Sequence, residues 1–123
     1  MKVPGFIARQ FYVAGSLRNT GDGFELQAHN PMGDGVLVGV GRIRVDEREV
    51  DPDAVSARRP GDHESIRALD VTREHPVHVT KGDRVTLHVS GPPLAPGKHR
   101  LDVELAELNV GELTFSITDR VAG

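Results

Sequence analysis

Cysteine and tryptophan are both absent from the 123-residue chain. Without thiols there is no disulfide framework, no thiol nucleophile and no thiolate metal site. Aromatic side chains are scarce as well: the four phenylalanines and Tyr12 are too few and too unpatterned to form platforms for stacked bases. Neither sign of charge forms a long block, and the formal net charge is -3 with the histidines neutral. The concentrated positive charge that binding to nucleic-acid phosphates requires is therefore missing. No apolar run approaches the roughly 20 residues that cross a bilayer. Residues 1–10 are interrupted by proline, glycine and arginine where a secretory leader has an unbroken apolar stretch. A cytoplasmic protein with neither nucleic acid nor membrane among its partners is expected.

What is present is the balance of a globular protein, 37% hydrophobic and 27% charged. A chain of this length fits one domain, here spanning 1–123, and can bury a core without staples. Its 14 glycines and 8 prolines are more punctuation than a helical bundle tolerates.

The apolar pattern repeats every second residue, as in strands with one buried face. Val85, Leu87 and Val89 share one face, with Arg84, Thr86, His88 and Ser90 on the other. From Lys98 to Leu108, Leu101, Val103 and Leu105 point in and Arg100, Asp102 and Glu104 point out. The Pro-rich segment Gly91 to Gly97 between these two strands predicts an antiparallel reversal. Leu113, Phe115 and Ile117 form a further series able to pair with the strand before it. Upstream, residues 23–28 alternate up to the Asn30-Pro31 stop. Val36 to Val45 is a long strand whose phase breaks at Leu37, so it is either buried on both faces at its start or bulged near Gly39 or Gly41. Asp46-Glu47-Arg48 reads as a turn toward Val50. Short strands are expected at 65–69 and 77–79, and Asp53 to Arg58 as one helical turn or a short strand. Phe6 to Val13 is expected either as an inner strand or as aromatic area offered to another subunit. No sustained helical stripe occurs. The pattern predicts an all-β fold, a two-layer antiparallel β-sandwich or a partly closed barrel.

The chemistry-bearing residues form no recognisable active site. His75 and His78 stand three apart beside Glu74, and His88 and His99 lie on strands that could be neighbours, a set of types that would suit zinc, manganese or iron. In an extended segment, however, His75 and His78 face opposite ways, and surface or loop histidines are the plainer reading. Glu25, Asp46, Glu47, Glu49, Asp102 and Glu104 could act as acid and base only if strand order brought two of them together. Gly33, Gly35, Gly39 and Gly41 match no phosphate-binding loop, and Ser16, Ser56, Ser65, Ser90 and Ser116 lack a nucleophile-elbow context. No catalytic, cofactor-binding or metal residue is assigned to this chain.

The segments Ser16-Leu17-Arg18-Asn19, Gly23-Phe24-Glu25-Leu26 and Ile43-Arg44-Val45-Asp46, together with Leu94 to Glu104, resemble the small β subunit of bacterial C-glycoside deglycosidases. The pieces are short and spread over most of residues 16–105. The resemblance implies a non-catalytic accessory subunit of a carbon-carbon lyase complex, stabilising a larger barrel-shaped α subunit and shaping its active-site entrance. That partner would hold a divalent metal such as manganese and cleave C-glycosidic bonds of 3-oxo glycosides. Where that family has a tyrosine-rich segment, this chain has His29 to Gly35. Two other readings stand beside it: a self-associating structural or binding module, with homo-oligomerisation, and a small metal-dependent sugar-modifying enzyme.

Overall fold

The computed structural model describes residues 1–122. Ten strands form two open, antiparallel sheets, with one short α-helix and two 3-10 turns. In chain order these are α1 (Gly5–Phe11), β1 (Arg18–Thr20), β2 (Gly23–His29), β3 (Gly35–Val45), β4 (Arg48–Glu49), β5 (Val55–Arg58), β6 (Ile66–Arg67), β7 (Val77–Val79), β8 (Arg84–Ser90), β9 (Gly97–Glu107) and β10 (Gly111–Val121). The first sheet has the order β1-β2-β8-β5-β6, the second β10-β9-β3-β4, and β7 pairs with β3. Neither sheet closes on itself, so the all-β expectation resolves to the sandwich rather than the barrel.

The alternating faces predict the core directly. Phe24, Leu26, Val55, Leu87 and Val89 from the first sheet meet Ile43, Val45, Leu101, Val103 and Ile117 from the second. Leu101 has no exposed surface; burying such a side chain stabilises by about 2 kcal/mol. A smaller cluster joins Val71, Val77, Val79 and Val85, with Leu37 and Val40 packed against it.

The phase break in β3 is a pair of bulges. Its register against β9 shifts between Leu37 and Gly39 and again between Val40 and Ile43, each extra residue turning the following side chain to the other face. Gly41 lies at the second shift. A Cβ there would meet the Glu104 Cβ at 2.9 Å, so the missing side chain lets β9 approach. The β3–β4 hairpin then turns through Asp46 and Glu47, both with positive φ (51° and 72°), the backbone that a two-residue hairpin with matching twist requires.

Three expectations need correction. Residues 5–11 form helix α1 rather than an inner strand: Pro4 presets its start, and Ala8 and Ile7 pack on the core while Phe6 stays 64% exposed. Phe11 rests on Phe115 with ring centroids 5.5 Å apart. Second, β8 and β9 are not antiparallel neighbours. The Pro-rich loop between them crosses from one sheet to the other, because proline-laden chain that cannot join a ladder serves equally well as a bridge between layers. Third, the 65–69 segment is only a two-residue strand, followed by a 3-10 turn over Ala68–Asp70. The 53–58 segment takes both of its anticipated forms, a 3-10 turn at Pro52–Ala54 leading into β5.

After α1 the chain crosses between the layers. Tyr12 bridges to Ala28 of β2, Val13 N–H donates to the Gln27 carbonyl, and α1 itself lies against β10. This segment straps the flank where β10 of one sheet faces β2 of the other.

Candidate functional site

Two open depressions of about 400 Å³ each occur on the second sheet. The first runs along β10, with Arg9, Tyr12 and Ala14 on one wall and Arg100, Ser116 and Thr118 on the other. The second lies on the outer face among Lys2, Arg42, Arg44, Asp102 and Glu104. They meet at Arg100 and Ser116. Strand alternation builds this face: Arg42 and Arg44 of β3, Arg100, Asp102 and Glu104 of β9, and Thr114, Ser116 and Thr118 of β10 all point away from the core.

Its charges largely compensate one another. Arg42 lies 3.4 Å from Glu49 and 3.6 Å from Glu104, and Arg100 lies 3.3 Å from Asp102. Asp102 also accepts a 2.5 Å hydrogen bond from Ser116. Exposed pairs of this kind contribute about 0–1 kcal/mol each.

The carboxylates with the most distinctive surroundings hold turns and straps. Asp46 accepts from the Arg100 N–H at 2.9 Å and pairs with His99 at 2.6 Å. These bonds, the backbone one foremost, keep its carboxyl below the usual range. Glu107 accepts from the N–H groups of Val36, Asn109 and Val110, which likewise lowers it. Asp119 points in from β10 and accepts from the Tyr12 hydroxyl at 2.5 Å and the Gly15 N–H at 2.9 Å. Burial works against its ionised form, but these donors outweigh burial and lower it. Tyr12 is pushed up to about 12, by burial first and then by its bond to Asp119. On the other sheet Asp22 is lowered by Thr20 and then by His88, whose Nε2 lies 3.0 Å from it.

The histidines do not converge. His88 is on β8 and His99 on β9, in different sheets. His75 lies in a loop and His78 on the exposed side of β7. Among the described residues no group of three or more histidines, aspartates or glutamates could hold a metal ion. Asp102 and Glu104 do share a face with Arg100, as their spacing predicts. Glu49 joins them through Arg42, whereas Glu25 is on the first sheet, where Arg18 donates to it at 2.6 Å. The sequence reading missed the Tyr12–Asp119 clasp and the His99–Asp46 pair. The turn expected at Asp46-Glu47-Arg48 is the one sequence signal that falls beside either, and it placed Asp46 without naming its partner.

The family model described as hydroxymethylglutaryl-CoA reductase, N-terminal domain, matches residues 7–122. No curated protein matches significantly. The match overturns the resemblance to the C-glycoside deglycosidase β subunit, and with it the role of accessory subunit in a carbon-carbon lyase complex. The structure gives the physical reason. Gly23 to Leu26 is the start of an ordinary hairpin with β1, and Pro96-Gly97 is a bend opening β9, with Gly97 at positive φ. Any antiparallel sandwich needs such pieces at such places. The manganese-bearing barrel partner rested on that resemblance alone.

Proposed function

Because the chain belongs to the hydroxymethylglutaryl-CoA reductase N-terminal domain family, we propose that its single sandwich domain serves a hydroxymethylglutaryl-CoA reductase as a non-catalytic module. The family match over residues 7–122 carries this reading. The use of the polar groups supports it. Asp46, Glu107 and Asp119 are each held on backbone N–H groups of turns and straps and are kept ionised. A general acid or base for chemistry at neutral pH needs the opposite, a pKa moved toward 7 and a free face toward substrate.

The partner is the catalytic part of the reductase, and the place of action is the cytoplasm, with which a chain lacking cysteine is compatible. Among the described residues no helix is long and apolar enough to cross a membrane. Sedimentation of the chain with a reductase catalytic portion from the same organism tests the association. Co-sedimentation as a defined complex is expected, and independent sedimentation of the two at micromolar concentration would overturn the reading.

A further inference from the structure

We propose that the open edge of β10, from Ser116 to Thr118, takes an extended acidic peptide segment as an added strand. Such docking deepens the non-catalytic reading, on which it rests, by naming what this face binds. The edge is half occupied by the chain itself. Met1 to Val3 runs parallel to β10, with Thr114 N–H donating to the Met1 carbonyl and Val3 N–H donating to the Thr114 carbonyl, each at 2.9 Å. Thr114 therefore turns its backbone groups away from β9, and alternation turns those of Ser116, Thr118 and Arg120 the same way. Among the described residues no backbone hydrogen bond meets the outward groups of Ser116 and Thr118, whereas the Arg120 N–H donates to the Asp119 carboxylate at 2.7 Å and closes that end of the edge. At Pro4 the chain leaves the edge for α1, and the depression lined by Arg9, Tyr12 and Ala14 opens beside the free part of β10.

Charge selects the occupant. Arg120 and Lys98 are cross-strand partners, as are Thr118 and Arg100, and Arg9 stands on the opposite wall. All four cationic side chains are exposed. Of the nearby carboxylates, Asp102 is held by Ser116 and Arg100 and Asp119 by Tyr12 and Gly15. A second copy presenting the same edge would set cations against cations, which opposes pairing. A strand carrying glutamate or aspartate at alternate positions meets both needs, with main-chain bonds for affinity and ion pairs for selectivity.

The test is titration of the isolated full chain with a capped heptapeptide of alternating glutamate and valine, read from backbone amide NMR shifts. A peptide with lysine in place of glutamate is the control. Saturable shifts centred on Ser116 and Thr118 are expected with the acidic peptide only. Thr118→Pro removes one outward donor without touching the β9 ladder and should weaken binding about tenfold. Arg120→Glu keeps the backbone intact and should weaken it as well. Absence of saturable shifts, equal binding of the lysine peptide, or unchanged affinity in both variants would each overturn the proposal, as would mutual pairing of chains through this edge. Because no reductase is present in the titration, a negative result here is separable from failure of the reductase association.

Discussion

The imidazole of His99 lies with Nδ1 2.6 Å from an Asp46 carboxylate oxygen, while its Nε2 lies 2.6 Å from the Ala95 carbonyl oxygen. Both partners are acceptors, so both ring nitrogens must donate, and the ring is an imidazolium. It ties the β3–β4 turn to the loop that brings the chain from the first sheet to the second. The carbonyl of Ala95 and then the carboxylate of Asp46 raise the pKa of His99 above its ordinary value.

Stability should follow from this pair with a definite sign. A raised histidine contributes fully below its unfolded pKa of about 6.5 and loses that contribution as pH climbs through the folded value. Asp46, lowered in the folded state, contributes above about 3.9 and loses it as pH falls through its own folded value. The pair thus stabilises most between about pH 4 and 6.5. Urea denaturation across this range should show the contribution falling away on both sides, and His99→Gln should remove the alkaline fall. An unaltered alkaline limb in that variant would contradict the assignment.

Tyr12 is the single tyrosine of the chain, so its ionisation is readable by ultraviolet absorbance alone. The phenol should titrate near 12 in the folded protein and near the ordinary value of about 10 in denaturant. Tyr12→Phe removes one donor from Asp119 and leaves the Gly15 N–H in place. A loss of about 1 kcal/mol in urea unfolding is expected.

Two glycines of β3 should respond differently to the same change. A Cβ on Gly39 would meet Ala106 at 3.5 Å, an ordinary contact, but on Gly41 it would meet the Glu104 Cβ at 2.9 Å. Gly41→Ala should therefore cost about 1–3 kcal/mol through overpacking, while Gly39→Ala changes stability little. Thermal unfolding of the two variants side by side measures the difference.

Leu101→Ala empties the site of a large side chain with no exposed surface. The loss should be about 2–5 kcal/mol, with the hairpin of β9 and β10 losing amide protection first.

Strand content, the faces of β8, β9 and β10, and the bulged run in β3 were legible because each rests on local alternation. Val85, Leu87 and Val89 point in for the same reason in the sequence and in the fold. Sheet order was not legible: nothing between Gly91 and Gly97 distinguishes a reversal within one sheet from a crossing between two. Helix α1 was hidden because seven residues are too few to establish a 3.6-residue period. The ties of Asp119 to Tyr12 and of Asp46 to His99 span 107 and 53 residues, so only the packed sandwich brings them together. The local motifs that suggested a deglycosidase subunit lie in turns and short stretches of strand, which constrain fold class and not family.

The central claim is that this sandwich serves a reductase without performing its chemistry. Consumption of hydroxymethylglutaryl-CoA, followed for the isolated chain, for the reductase catalytic portion and for the two together, tests it most directly. The account predicts no consumption by the chain alone and turnover wherever the catalytic portion is present; turnover by the isolated chain, abolished by Asp119→Asn, would contradict it.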